Sequence, residues 1–338
     1  MRKNQLPIRT VQESRPARNK KFWSCPCGFA SVLQCGLIAP PGRDAAHEND
    51  TEKTPILLGL AEERPQGADP MNPVAFEIFG LTVHWYGIMM MLGFLAGWGS
   101  WVVVGRREGR SAAFCSDLLF WIMIAAVVGS RLAYIIANLS YFLENPHRLY
   151  RIDQGGLIYY GGLIAGIIAV YLFARHKRQK PLGLFDFVAT SLPLAHAFGR
   201  IGCFLNGCCH GSPHDGSCAV AFPRHSFAWH RQYDLGLVET PAATLPVHPV
   251  QLYEAGLALA LYALLLVIHR KRRHLGATTV AYLMLYPVAR FGLEFLRGDA
   301  RATLAGWTVA QFVSILLFAS GAVLWFWTRR HAQTVQNM

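Results

Sequence analysis

Three arginines stand where charge is expensive. Arg131 lies in the run Gly129-Ser130-Arg131-Leu132-Ala133-Tyr134, Arg200 near the end of a later apolar run, and Arg290 in another with Glu294 four residues on. Even an insertion-based scale puts an arginine at mid-membrane at roughly +2.5 to +3.5 kcal/mol. The i,i+4 spacing of Arg290 and Glu294 fits a structural salt bridge on one helix face. Three buried cations need more than one carboxylate, and an anionic ligand removes the imbalance, because the guanidinium fork suits phosphate oxygens. A phospholipid headgroup is the natural candidate: it arrives by lateral diffusion and leaves its acyl chains among apolar helices. Side-chain physics alone stops at an intramembrane site for an anionic lipid and does not separate an enzyme from a transporter or a lipid-regulated scaffold.

Cys203, Cys208, Cys209 and His210, with Cys218 beyond, form the other chemically suggestive group. Their spacing is not the paired C-x2-C of zinc sites. On an oxidising side of a membrane a disulfide, for instance Cys218 to Cys208 or Cys209, is favoured over zinc. Thiols packed as small apolar groups are an equally weighted alternative. Cys25-Pro-Cys27 has no second pair and is read as incidental. No metal or cofactor is expected.

The elements that must hold these residues are legible in composition. The chain has 338 residues, 53% hydrophobic and only 15% charged, with a positive mean hydropathy, and such chains live in lipid. A helix needs about 20 apolar residues to cross the hydrocarbon core. Runs of that kind fall near 84–104, 114–137, 157–174, 183–205, 250–268, 277–296 and 307–328. The expected fold class is therefore all-α, a polytopic integral membrane protein of about seven transmembrane helices. Basic residues sit in alternate connections: Arg106, Arg107 and Arg110; Arg175, Lys177, Arg178 and Lys180; Arg270 to Arg273; Arg329 and Arg330. Those ends should face the cytoplasm, with the N-terminus out, the C-terminus in and the three arginines toward the outer half. The net charge of +12 is thus explained by membrane topology, with membrane lipids as partners and no nucleic acid.

Residues 1–70 are rich in Pro, Arg and Glu and are read as a disordered extension or a mis-assigned start, with translation beginning at Met71. The segment 71–338 is read as a single transmembrane domain, and its long polar connection 206–249 as an outer cap over the site. Gly93 and Gly97, and Gly162 and Gly166, have the small-xxx-small spacing of closely packed helices.

Several strings, taken together and in order, resemble the prolipoprotein diacylglyceryl transferase family. Gly199-Arg200-Ile201-Gly202-Cys203-Phe204-Leu205-Asn206-Gly207 is similar to the family signature G-R-x-G-N-F-x-N-G-E-x-x-G, whose last glycine falls at Gly211. Trp85-Tyr86-Gly87, Gly161-Gly162, His248-Pro249-Val250-Gln251-Leu252-Tyr253-Glu254, and Tyr286 through Arg297 resemble further family blocks, and the likeness covers essentially 71–328. The resemblance implies transfer of diacylglyceryl from phosphatidylglycerol to the lipobox cysteine thiol of a preprolipoprotein, at the outer side of the bacterial inner membrane. It implies that Arg200 and Arg290 hold the phosphate while Tyr86, Asn206, Tyr286 and Glu294 orient lipid and arginines, and it adds Gly211 and His248 to the substrate-binding set beside Arg131.

The motif also departs from the family. Tyr160 stands where a histidine usually precedes Gly-Gly, and Cys203 and Cys208 stand at the signature's Asn and Glu. A thiol attacking an sp3 carbon must lose its proton. A phenol of ordinary pKa, about 10, is a weak base unless a neighbouring arginine, such as Arg131 or Arg200, stabilises its phenolate. Tyr160 is the expected proton handler, and a non-catalytic or altered-specificity paralogue that binds anionic lipid or a lipoprotein precursor is the alternative. A transporter is disfavoured by the lack of an internal repeat or paired broken helices.

Overall fold

The structure, a computed structural model, describes residues 73–336 apart from 79, 151–154, 239–242, 300, 302 and 305. The readings made for 1–70, including Cys25-Pro-Cys27, lie outside the described residues. A hairpin of β1 (Val74–Ile78) and β2 (Leu81–His84) leads into α1 (Trp85–Arg107) and α2 (Ala112–Ala137). A short α3 (Leu139–Glu144) precedes α4 (Tyr159–His176), α5 (Pro181–Ala189) and α6 (Leu192–Leu205). The long connection carries α7 (Phe227–Asp234), after which α8 (Val250–Lys271) and α9 (Ala277–Glu294) follow. A hairpin of β3 (Thr303–Leu304) and β4 (Trp307–Thr308) precedes α10 (Val309–Gln336).

Among the described residues five spans are long and apolar enough to cross a membrane: α1, α2, α5 with α6 taken together, α8, and residues 309–330 of α10. The 18-residue helices α4 and α9 fall short of that apolarity. Both carry polar groups: α4 has Tyr159 and Tyr160 at its start, and α9 has Arg290 and Glu294 at its end. The outward faces are oily, with Ile136, Leu316 and Val323 each about 70% exposed, as lipid contact requires and water does not favour.

The run expected to be one helix over 183–205 is interrupted between Ala189 and Leu192. Thr190 Oγ1 donates to the Phe187 carbonyl at 2.7 Å and Ser191 Oγ donates to Ser100 Oγ at 3.0 Å. Pro193 supplies no N–H to continue the ladder. Thr190 and Ser191 keep right-handed helical dihedrals, so the two helices still form one span over Pro181–Leu205, with the hydroxyls satisfied within protein.

Among apolar neighbours no hydrophobic drive holds helices together, so close approach must do it. A Cβ at Gly129 would lie 2.6 Å from the Gly161 carbonyl oxygen, and one at Gly162 would lie 2.9 Å from that of Ala126, so α2 and α4 meet nearly backbone to backbone. Gly93 plays the same part between α1 and α6, 3.1 Å from the Ala195 oxygen. Gly93 and Gly162 thus take the packing role the small-xxx-small spacing implies, whereas Gly97 and Gly166 make ordinary contacts, 3.8 Å from Ala195 Cβ and 4.0 Å from Ile122 Cγ2.

A polar network closes the basic end of the bundle. Asp186 of α5 is fully buried and accepts from the Gly276 and Thr279 amides at 2.7 and 2.8 Å, capping α9 from a neighbouring helix. Glu108 pairs with Arg272 at 2.6 Å, His269 at 2.8 Å and Arg110 at 3.3 Å. Burial opposes the Glu108 charge, but the His269 hydrogen bond and the nearby guanidiniums outweigh it and hold the carboxyl below its ordinary value. The stabilisation this supplies is present above the unfolded carboxyl pKa, about 4.3, and is lost as pH falls through the lower folded value. Thermal unfolding of the detergent-solubilised protein should therefore show a midpoint that drops below about pH 4.3, and Glu108→Gln should lower the neutral-pH midpoint while flattening that acid limb.

Candidate functional site

Glu254, near the start of α8, is 4% exposed and gathers cations from three directions. His196 Nε2 lies 2.9 Å from its Oε1 and Arg200 Nε 3.2 Å from its Oε2, both from α6. Arg290 Nε of α9 and Arg297 Nη1 just beyond that helix lie 3.9 Å from it. Glu294 pairs with Arg290 at 2.5 Å, the expected i,i+4 bridge, and also with Arg301. Asp299 closes the group with Arg297 at 2.9 Å and Arg301 at 3.0 Å. Burial pushes the Asp299 carboxyl up, and Arg297 pulls it back down; Arg297 itself is held above its ordinary value, burial opposing and its anionic neighbours prevailing.

Four guanidiniums thus face three carboxylates, leaving one positive charge when His196 is neutral. Arg200 is 3% exposed, and its Nη1 is buried without a hydrogen-bond partner among the described residues. Arg110 Nη1, at the opposite end of the bundle, is buried in the same way; what sets Arg200 apart is that its free donor lies inside the charge cluster.

Tyrosines line the cluster. Tyr286 meets His196 edge-on at 5.5 Å and stacks with Tyr282 at 5.4 Å. Tyr160 is half-buried beside Tyr159, ring centroids 5.5 Å apart, and of the arginines it is Arg290 whose charge reaches it, while Arg200 reaches Tyr159. Tyr86 packs against Cys203, Cys208 and Cys209, and Asn206 is buried at the C-terminal end of α6. Each described cysteine carries a thiol, with Cys218 exposed and the 203, 208 and 209 side chains buried together, so neither of the two expected disulfides is formed.

Arg131 enters none of these ion pairs. Its guanidinium donates to the carbonyls of Arg148, Leu149, Gly155 and Gly156 at 2.7 to 3.2 Å and lies against Tyr134 and Phe142, so it pins the connection before α4. Gly211 and His248 frame the site rather than join its ion pairs. Gly211 N donates to the His248 carbonyl at 3.0 Å, and a Cβ there would fall 2.6 Å from His248 Cβ, which is why glycine is required. His248 stacks on His214 at 3.8 Å, and burial together with that neighbour pushes its imidazole below the ordinary value. The 206–249 connection is thereby tied back to the bundle, since Gly211 also bridges to Arg297.

The residues that pattern reading passed over are Glu254, His196, Arg297, Arg301 and Asp299. Glu254 and Arg297 were visible at the ends of the quoted strings, but partners on three different helices share no spacing rule. Glu254→Gln keeps the volume and removes the shared charge. It should cost about 3 to 5 kcal/mol of stability, measured by chemical or thermal unfolding in detergent, because several arginines are left facing one another.

Residues 73–327 match the family described as prolipoprotein diacylglyceryl transferase. Proteins named phosphatidylglycerol–prolipoprotein diacylglyceryl transferase from Clostridium tetani, Pseudomonas fluorescens and Bordetella parapertussis are similar to this chain. They are 34%, 34% and 35% identical, covering 74%, 79% and 77% of this chain and 95%, 97% and 96% of their own lengths.

Proposed function

The chain belongs to the prolipoprotein diacylglyceryl transferase family and transfers diacylglyceryl from phosphatidylglycerol to a prolipoprotein, and we propose that the reaction takes place at the Arg200–Glu254–Arg290 cluster. The sulfur of the lipobox cysteine forms a C–S bond to the glyceryl sp3 carbon. The C–O bond to phosphate breaks, and its electron pair leaves with glycerol phosphate.

Arg200 and Arg290 hold the phosphate. The observation that carries this is the buried Nη1 of Arg200 with no acceptor among the described residues, in a cluster with one positive charge to spare. A phosphodiester oxygen supplies the acceptor, and guanidiniums already fixed by Glu254 and Glu294 need little reorganisation as charge builds on the leaving group. Tyr286, Tyr86 and Asn206 orient the headgroup, while Gly211, His248 and Arg131 hold the surrounding connections in place. Tyr160 is assigned the thiol proton because it stands where the family signature carries a histidine before Gly161-Gly162.

The same reading gives seven passes, the five apolar spans plus α4 and α9, with the N-terminus out, the C-terminus in and the site open to the outer side of a bacterial inner membrane. Basic residues at alternate connections support it. The match over 73–327 supports reading that stretch as one transmembrane domain.

The test is transfer of labelled diacylglyceryl from phosphatidylglycerol vesicles to a lipobox peptide. Arg200→Lys and Arg290→Lys should each lower the rate by about 100-fold or more, since lysine keeps the charge but loses the fork. Tyr160→Phe should abolish transfer with lipid binding nearly unchanged, and Tyr160→His should retain it; a fully active Tyr160→Phe would show that the proton leaves by another route. An inert wild-type protein would overturn the whole assignment. In the same assay the chain lacking 1–70 should insert in the same orientation and keep its activity, as protease protection of the loops would check.

A further inference from the structure

The fold collects three cysteines whose spacing does not read as a paired metal motif. We propose that Cys203, Cys208 and Cys209 form a binding site for zinc(II), bracing the turn after α6 beside Arg200. Their sulfurs all lie within 4.8 Å of one another. The residues are 6%, 2% and 5% exposed, and all three carry thiols. Zinc bonds to thiolate at about 2.3 Å, which places sulfurs in one tetrahedral shell at about 3.8 Å from each other, so small side-chain rotations close this group on an ion.

The backbone is shaped to gather them. Cys203 sits in the last turn of α6, and the Cys208 amide returns to the Cys203 carbonyl at 3.1 Å. Gly207 and Cys209 both take the left-handed conformation, φ +69° and +60°, reversing the chain between the sulfurs. Such a φ is natural for glycine and unfavourable for cysteine, so tertiary contacts must hold Cys209 there. Gln251 Nε2 fixes the turn from α8 by donating to the Cys208 carbonyl at 2.7 Å.

Arg200 lies within electrostatic reach of Cys203 and Cys209, and Arg297 within reach of Cys209. Cys203 and Cys208 stand at the positions where the family signature carries Asn and Glu. Zinc here replaces polar side-chain bracing with a metal cross-link between helix end and turn, three of its four positions being filled by sulfur.

The experiment loads the full-length, reduced, detergent-solubilised protein with zinc, removes the excess by gel filtration and counts metal by mass spectrometry. About one equivalent should be retained. Cadmium in its place should give the ultraviolet charge-transfer band of three thiolates. Cys203→Ala, Cys208→Ala and Cys209→Ala should each lose the metal, whereas Cys218→Ala, Cys115→Ala and a variant with Cys25, Cys27 and Cys35 all changed to Ser should keep it. Cys203→Asn and Cys208→Glu, which carry the family's own residues, keep the test meaningful if an alanine variant does not fold; they should elute as monodisperse protein without metal. Wild-type protein that retains no metal with these thiols reduced, that holds two of them as a disulfide, or that loses its metal only with Cys25, Cys27 and Cys35 would overturn the proposal. Because metal is counted directly, this outcome is independent of whether transfer activity is found.

Discussion

A single carboxylate buried among arginines organises the molecule. Glu254 cannot sit in an apolar bundle alone, and neither can Arg200, Arg290 or Arg297. Their shared pairing forces α6, α8 and the end of α9 to converge at one level. Once they do, the polar tyrosines of α4 and α9 have a partner field to face, and the connection after α6 must fold back over it. Such a cluster is poor as a source of stability compared with apolar packing, because desolvation offsets much of the Coulomb gain.

The two ends of the bundle solve different problems. At the basic end, Glu108, His269, Arg272 and Asp186 join the connections after α1 and α8 to the start of α9, with an apolar cluster around Leu118, Leu184 and Phe187 next to the α1–α2 connection. That end is built to stay closed. At the cluster end four guanidiniums share three carboxylates, and Arg200 Nη1 has no acceptor among the described residues. The glycines of α2 and α4 let those helices touch at Gly129 and Gly161, close to Tyr159 and Tyr160, so backbone contact rather than side-chain bulk sets where the tyrosines stand.

The variant residues in the signature change the chemistry in a consistent direction. Tyr160 puts a phenol where the family usually carries an imidazole, beside Tyr159 at the start of α4. Two thiols in place of Asn and Glu, with Cys209 beside them, gather three polarizable sulfurs in the turn after α6, those of Cys203 and Cys209 within reach of Arg200.

By itself the sequence determined the membrane-embedded helical class, the apolar spans and the oddity of Arg131, Arg200 and Arg290, because hydrophobic run length and misplaced charge are one-dimensional signals. The ordered motifs carried the family. The i,i+4 bridge of Arg290 and Glu294 was legible because helix geometry relates those positions directly. Only tertiary structure decided which cations share an anion. Arg131 went to the carbonyls of its own connection, while His196 and Arg200 came to Glu254 from another helix and Arg297 from the chain beyond α9. It also broke the 183–205 run at Thr190, and it brought Cys203, Cys208 and Cys209 together through two left-handed residues. The reason is the same in each case: a buried polar group takes whatever partner packing places within reach, and helix–helix packing brings together residues with no spacing relation along the chain.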